Sequence, residues 1–208
     1  MRTRLVIASL AAAVCLAGAV PAAAQDMPLG VKIGVNVATF SFDEDDFGLE
    51  GSSKTGLMAG AFIRRQISEG FGLQIEGLIT QKGAKLDDTF FDDEFDITIN
   101  YLEIPVLARY EMPFGTGDTS FHVYGGPAFA LKISDHQELD GDEIEEDFEQ
   151  DLKGADVGLA IGAGVDFNMW VVDVRYTFGL MNINDDPGAD DFPVRNRVFT
   201  VGVGYRFR

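Results

Sequence analysis

Charged side chains occur at alternate positions within otherwise apolar stretches of this sequence. Asp173 and Arg175 are two residues apart. Glu103 and Arg109 are an even number of residues apart within another such stretch. Alternate residues of a strand lie on the same face, so each pair would share a face. A carboxylate beside a cation can relay protons, conduct ions or take part in acid–base catalysis, or it can form a structural ion pair, which buried charges require. We interpret the set as an interior ionic core made of Glu76, Glu103, Arg109, Asp173 and Arg175.

Residues suited to nucleophilic catalysis are few. The two histidines are His122 and His136, and Ser120 and Ser134 precede them by two positions. Ser120 and His122 would share a strand face, but no G-x-S-x-G sequence accompanies them. The sequence also has no phosphate-binding loop, dinucleotide fingerprint or cysteine cluster. We predict that the protein is not an enzyme and holds no cofactor.

The beginning of the sequence is typical of an export signal. Two arginines precede an apolar segment, Leu5–Val20, and Ala22–Ala24 fit a signal-peptidase site. We expect residues 1–24 to be cleaved and residues 25–208 to form one domain. The single cysteine, Cys15, would be removed with the signal, so that hydrogen bonding and packing alone would hold the mature fold together.

Charge and hydropathy exclude two classes of protein. A formal net charge of -18 argues against nucleic acid as a partner, because phosphates would be repelled. After the signal, no stretch approaches the roughly 18 consecutive apolar residues of a membrane helix. A protein with this sequence would therefore cross a membrane as strands.

Alternation of polar and apolar residues predicts eight strands. Each is long enough for a tilted membrane strand, which needs about 9 to 11 residues. Short turns at 68–70, 113–119 and 168–169 alternate with long segments at 43–54, 84–95, 135–153 and 183–194. This pattern predicts an all-β fold, an eight-stranded antiparallel up-and-down transmembrane barrel with short periplasmic turns and long acidic extracellular loops. The predicted strands are 30–42, 55–67, 71–83, 96–111, 120–134, 154–167, 170–182 and 195–207.

The direction of the apolar faces separates a membrane barrel from a soluble barrel that encloses a lipophilic ligand. Leu102 and Ile104 alternate with Glu103 and Pro105, for example, and alternation alone fits both cases. Aromatic residues at the ends of the apolar faces resemble interfacial girdles and favour the membrane barrel. They are Tyr110, Trp170, Tyr176, Phe178, Tyr205 and Phe207.

The polar faces would then line the interior. An eight-stranded barrel is just wide enough for side chains to fill it, so opposite charges should pair there, and small residues should make room for the long ones. The predicted inward charges are Lys32, Arg64, Glu76, Lys82, Glu103, Arg109, Lys132, Asp156, Asp166, Asp173, Arg175 and Arg206, and the predicted inward glycines are Gly34, Gly60, Gly126, Gly158, Gly162, Gly164, Gly202 and Gly204.

Five segments resemble the PorT-like outer-membrane β-barrel proteins, often labelled porin-family proteins. The most specific is Tyr101–Tyr110, which contains the family's Y-L-E-I-P strand, and Tyr124–Ala128, Gly158–Val165, Asp173–Tyr176 and Asn196–Phe207 follow in order. The resemblance implies an outer-membrane barrel of a Gram-negative bacterium, exported through the periplasm and assembled by the barrel insertion machinery. It implies no catalytic residues.

Most of the 34 Asp and Glu residues lie between the predicted strands, in the long segments. Carboxylate oxygens are the ligands that Ca2+ and Mg2+ prefer, although the spacing here does not match an EF-hand. Phenylalanines among the acids could contact a protein partner, and the plain alternative is a solvated surface. The candidate metal ligands are Asp140, Asp142, Glu145 and Asp147.

These observations predict a structural or interaction role, exerted through acidic surface loops around a filled, charge-paired interior. The expected partners are outer-membrane lipid, the insertion machinery, and a protein or divalent cation at the outer loops. A small cation-preferring channel, with cations attracted by the acidic rim, is the first alternative. A barrel enzyme acting on lipid or peptide is the second.

Overall fold

A computed structural model describes residues 28–42, 50–87, 94–115, 118–139, 142–143, 153–183 and 194–207. The predicted signal peptide, residues 1–24, lies outside these residues. Within them, no helix is long and apolar enough to span a membrane.

The strands close into an antiparallel barrel, as predicted. Each of the eight barrel strands pairs with the next, and the last pairs back with the first. A two-residue strand, β6 (Asp142–Glu143), pairs with the end of β5. The barrel strands are β1 (Leu29–Phe42), β2 (Glu50–Ser68), β3 (Phe71–Asp87), β4 (Glu94–Pro113), β5 (Thr119–Leu139), β7 (Ala155–Phe167), β8 (Trp170–Gly179) and β9 (Val194–Arg206).

Four neighbouring strands are longer than the sequence pattern predicts. β2 to β5 contain 17 to 21 residues, so residues 50–54, 84–87, 94–95 and 135–139 are strand where we expected loop. Hydrogen bonds between neighbours continue the sheet here, for example from Lys85 to Asp96. These extensions depend on pairing with the neighbouring strands, which the pattern of a single segment does not show.

The hairpin turns at one end of the barrel are tight. Gly70 and Gly115 have φ values of 75° and 72°, and Asn168 has a φ of 56°. These values lie in the left-handed region that glycine and asparagine adopt most readily. We call this end, where residues 28 and 207 also lie, the turn end, and the opposite end the loop end. In bacterial barrels short turns face the periplasm.

The apolar faces of the strands point outward. Leu102 and Ile104 are 38% and 41% exposed, whereas Glu103 between them is 4% exposed. The same alternation holds along β8, where Asp173 and Arg175 are buried. A polar interior with an apolar exterior is the arrangement of a membrane barrel, and it rules out the inverted arrangement of a soluble carrier.

Aromatic side chains form contacts on the outer face at two heights. At the turn end, the rings of Trp170 and Tyr205 have centroids 5.2 Å apart, and higher on the same strand Tyr176 and Phe178 are 4.5 Å apart. Trp170 and Phe178 are separated by roughly 26 Å along the strand, or about 20 Å of height at the usual tilt. This is close to the apolar band of about 25 Å in membrane barrels.

Candidate functional site: the ionic interior of the barrel

The middle of the lumen is crossed by an ion pair. Glu76 on β3 and Arg175 on β8 belong to opposite walls, since three strands separate them in either direction round the barrel. Arg175 Nη2 donates to both Glu76 Oε1 and Oε2 at 2.7 Å. Both side chains are buried. Because they meet across the lumen, they obstruct it at this height.

Three further side chains surround this pair. Lys32 Nζ lies 2.5 Å from Asp173 Oδ2 and 3.8 Å from Glu76 Oε1. Tyr124 Oη donates to Asp173 Oδ2 at 3.2 Å and accepts a hydrogen bond from Arg175 Nε at 3.3 Å. With two cations and two anions the group is balanced, as buried charges need to be. We call these five residues, Lys32, Glu76, Tyr124, Asp173 and Arg175, the central cluster.

A second group crosses the lumen nearer the turn end. Arg64 on β2 and Asp166 on β7 again belong to opposite walls, and Arg64 Nη1 donates to Asp166 Oδ1 at 2.7 Å. Arg109 also donates to Asp166, and Arg109 Nε donates to Glu111 Oε1 at 2.8 Å. His122 Nδ1 lies 2.8 Å from Asp166 Oδ2. We call these five residues the turn-end cluster.

Gln74 connects the two clusters by hydrogen bonds. Gln74 Oε1 accepts a hydrogen bond from Arg64 Nε at 2.7 Å, and Gln74 Nε2 donates to Glu76 Oε1 at 2.5 Å. The amide can do this because it carries a donor and an acceptor. The interior is thus a continuous polar network through about half of the barrel's height.

Towards the loop end, the polar contacts run between nearby strands. Lys82 Nζ lies 2.5 Å from Glu103 Oε2 on the adjacent strand. Asn36 Nδ2 donates to Thr80 Oγ1 at 2.7 Å, and Asn36 Oδ1 accepts from Thr200 Oγ1 at 2.8 Å. These contacts line the wall instead of crossing the lumen.

Inward glycines leave room for large side chains. A methyl group at Gly162 would overlap the ring of Tyr124, and one at Gly202 would lie 2.8 Å from Lys32 Cε. A side chain at either position would therefore displace members of the central cluster.

The five residues predicted as one ionic core are divided among three groups. Glu76, Asp173 and Arg175 belong to the central cluster, Arg109 to the turn-end cluster, and Glu103 pairs with Lys82. Among the other predicted inward charges, Lys132 and Arg206 are only half-buried, and Arg206 Nη2 donates to the Asn168 carbonyl at the turn end, 2.9 Å away. The sequence interpretation did not include Gln74, Tyr124 or Asn36 in the ionic core, although each lies at an inward-facing position of its strand.

The candidate catalytic and metal residues are placed as follows. His122 is buried in the turn-end cluster, and its Nδ1 faces Asp166. Asp142 is in β6, and the other candidate metal ligands, Asp140, Glu145 and Asp147, lie outside the described residues. In the part of the chain that the structure describes, no group of three or more His, Cys, Asp or Glu side chains could hold a metal ion.

The sequence profile of the family described as outer membrane protein beta-barrel domain matches residues 23–185. The chain belongs to this family. The match agrees with the closed barrel and its apolar outer face, and it implies the predicted location in the outer membrane of a Gram-negative bacterium. No curated protein sequence matches this outer membrane β-barrel protein.

Solved outer membrane barrels resemble the structure. OprG from Pseudomonas aeruginosa has a TM-score of 0.50 at 14% identity, with 88% of this chain and 94% of OprG covered. Neisserial surface protein A has a TM-score of 0.49 at 15% identity, with 86% and 97% covered. Ail, the attachment invasion locus protein of Yersinia pestis, has a TM-score of 0.42 at 17% identity, with 88% and 100% covered. The likeness to OprG concerns the fold alone.

Proposed function

We propose that this outer membrane barrel does not conduct solutes and acts as a structural or interaction protein through its extracellular side. The observation that carries the proposal is the pair of ionic contacts between opposite walls, Glu76 with Arg175 and Arg64 with Asp166. They lie at two heights, so a solute would have to pass both. A barrel with no solute pathway through its lumen would act through contacts that its surfaces make.

The energy of the central cluster supports a closed lumen. Removing one partner of a buried ion pair costs about 3 to 5 kcal/mol, because the other charge is left uncompensated. Separation of Glu76 from Arg175 would leave two buried charges without their principal partner, which disfavours opening at this level. The contact between Arg64 and Asp166 adds a second barrier.

The chemistry of the outer side favours a cationic partner. The chain has a formal net charge of -18, and most of its acids fall in the sequence segments 43–54, 84–96, 135–153 and 183–194, which we assign to the outer side. Such a surface attracts cations and basic protein segments by long-range electrostatics. The partner we propose is a protein with a basic surface or a divalent cation, and the PorT-like resemblance of Tyr101–Tyr110 agrees with a non-enzymatic barrel.

Conductance in a planar bilayer tests the proposal. The refolded mature protein, with insertion verified by protease protection, should insert without steady current, both with and without millimolar Ca2+. The control replaces Asp118, an exposed turn residue, by Asn and should be equally silent. Steady cation-selective current from the unmodified protein would overturn the proposal and favour the small cation channel.

A further inference from the structure

One buried carboxylate of the interior has no cationic partner among the described residues. Asp156, the second residue of β7, is 3% exposed. Its Oδ2 accepts a hydrogen bond from Asn196 Nδ2 at 2.8 Å, and its Oδ1 has no hydrogen-bond partner. Burying a carboxylate without a compensating charge costs several kcal/mol. Asp156 therefore needs a compensating positive charge or a proton, and the described side chains supply no such charge.

The other four buried carboxylates differ in this respect. Each has a lysine or arginine nitrogen within 2.7 Å of a carboxylate oxygen. Asp166 has two arginine partners, Arg64 and Arg109. The buried lysines and arginines that the structure describes are thus paired with other acids. The four are Glu76, Glu103, Asp166 and Asp173.

The side chain next to Asp156 has a second unused oxygen. Asn196 is 2% exposed, and its Oδ1 also has no hydrogen-bond partner. Since its Nδ2 donates to Asp156, the two residues lie in direct contact. Together they offer two buried acceptor oxygens and one negative charge, and no donor from the described residues bonds to either oxygen.

We propose that Asp156 and Asn196 form a binding subsite for a small monovalent metal cation, Na+ or K+, in the loop-end half of the lumen. One negative charge and two side-chain oxygens match a monovalent ion that completes its shell with water. Ca2+ takes six to eight oxygens and Mg2+ a strict octahedron, and the described residues contain no group of three metal-binding side chains.

The subsite lies on the loop-end side of the ionic contacts that cross the lumen. Asp156 and Asn196 are the second and third residues of β7 and β9, at the loop end. The contacts between Glu76 and Arg175 and between Arg64 and Asp166 lie farther along the lumen, towards the turn end. A cation that enters from the loop end would therefore be held without passing through.

Thermal unfolding of the refolded full-length barrel in detergent tests the subsite. KCl or NaCl is exchanged for N-methyl-D-glucamine chloride at constant ionic strength, because that organic cation is too large for the subsite. Above the dissociation constant, each tenfold rise in Na+ or K+ should raise the melting temperature of the native sequence by roughly 3–5 °C. The Asp156→Asn variant should lose this dependence.

Three further tests keep the proposal falsifiable. The Asp118→Asn control removes an exposed charge and should retain the cation dependence. The side-chain amide NMR signal of Asn196 should shift saturably with Na+ or K+ in the native sequence. Asn196→Asp should shift the preference towards Ca2+, because it adds a second carboxylate.

Three results would overturn the subsite. They are an unfolding temperature of the native sequence that does not respond to Na+ or K+, a response that Asp156→Asn retains in full, and an Asn196 amide signal that does not move. The first would mean that a proton or water satisfies Asp156. The second would mean that the cation acts elsewhere.

Discussion

Replacing Glu76 by Gln should destabilise the barrel strongly. Arg175 and Lys32 would keep only Asp173 as an anionic partner in the central cluster, leaving one excess positive charge in the interior. Removing one partner of a buried ion pair costs about 3 to 5 kcal/mol. The glutamine keeps one acceptor oxygen for Arg175, so we expect a value near the lower end, about 3 kcal/mol.

Urea unfolding of the refolded protein in lipid vesicles measures this loss. With slopes of about 1 to 3 kcal/mol per molar urea, a loss of about 3 kcal/mol lowers the midpoint by roughly 1 to 3 M. The double variant Glu76→Leu with Arg175→Leu removes both partners and should recover much of the loss, because no unpaired charge of the pair remains. If Glu76→Gln lowers the free energy of unfolding by less than about 1 kcal/mol, the reasoning is refuted, since Glu76 would then not be compensating buried cations.

Three other substitutions test the faces and the packing of the barrel. Leu102→Arg places a cation on the lipid face and should cost about 2 to 4 kcal/mol near the midplane. The variant should therefore fail to reach the heat-resistant folded form on gels. Normal assembly would show that this face does not contact lipid. Glu103→Gln removes the anionic partner of Lys82, 2.5 Å away, and should lower the urea midpoint, whereas an unchanged unfolding curve would exclude an energetic role for that pair. Gly60→Ala should cost about 1 to 3 kcal/mol, because its methyl group would overlap the Gly77 carbonyl and lie 2.9 Å from the backbone of the next residue. Gly77→Ala is the matched control on the adjacent strand, where a methyl group would meet nothing within 4 Å, and equal losses in the two variants would contradict the close contact at Gly60.

Strand ends were the least predictable part of the fold. The sequence pattern placed the end of β3 at residue 83, and the strand continues to Asp87. It also extended β8 to residue 182, whereas β8 ends at Gly179. Pairing with β2 and β4 extends β3 to Asp87, and the pattern of one segment does not show where pairing with its neighbours ends.

The sequence by itself determined the number of barrel strands, their antiparallel order and which side chains share a face. The side-chain period of a strand is two, so assigning Leu102 to the outside assigns Glu103 to the inside, and a one-residue error would reverse both. Alternation places Leu102 and Glu103 on opposite faces, and the exposure of Leu102 and burial of Glu103 in the closed barrel decide which face points outward.

Only the tertiary structure decided which interior charges meet. Glu76 and Arg175 are 99 residues apart in sequence, and Arg64 and Asp166 are 102 apart. Their contacts depend on the stagger with which the closed barrel places residues of opposite strands at the same height, and no local pattern encodes that stagger. For the same reason the sequence shows similar numbers of inward acids and bases, and only the closed barrel leaves Asp156 without a cationic partner among the described residues.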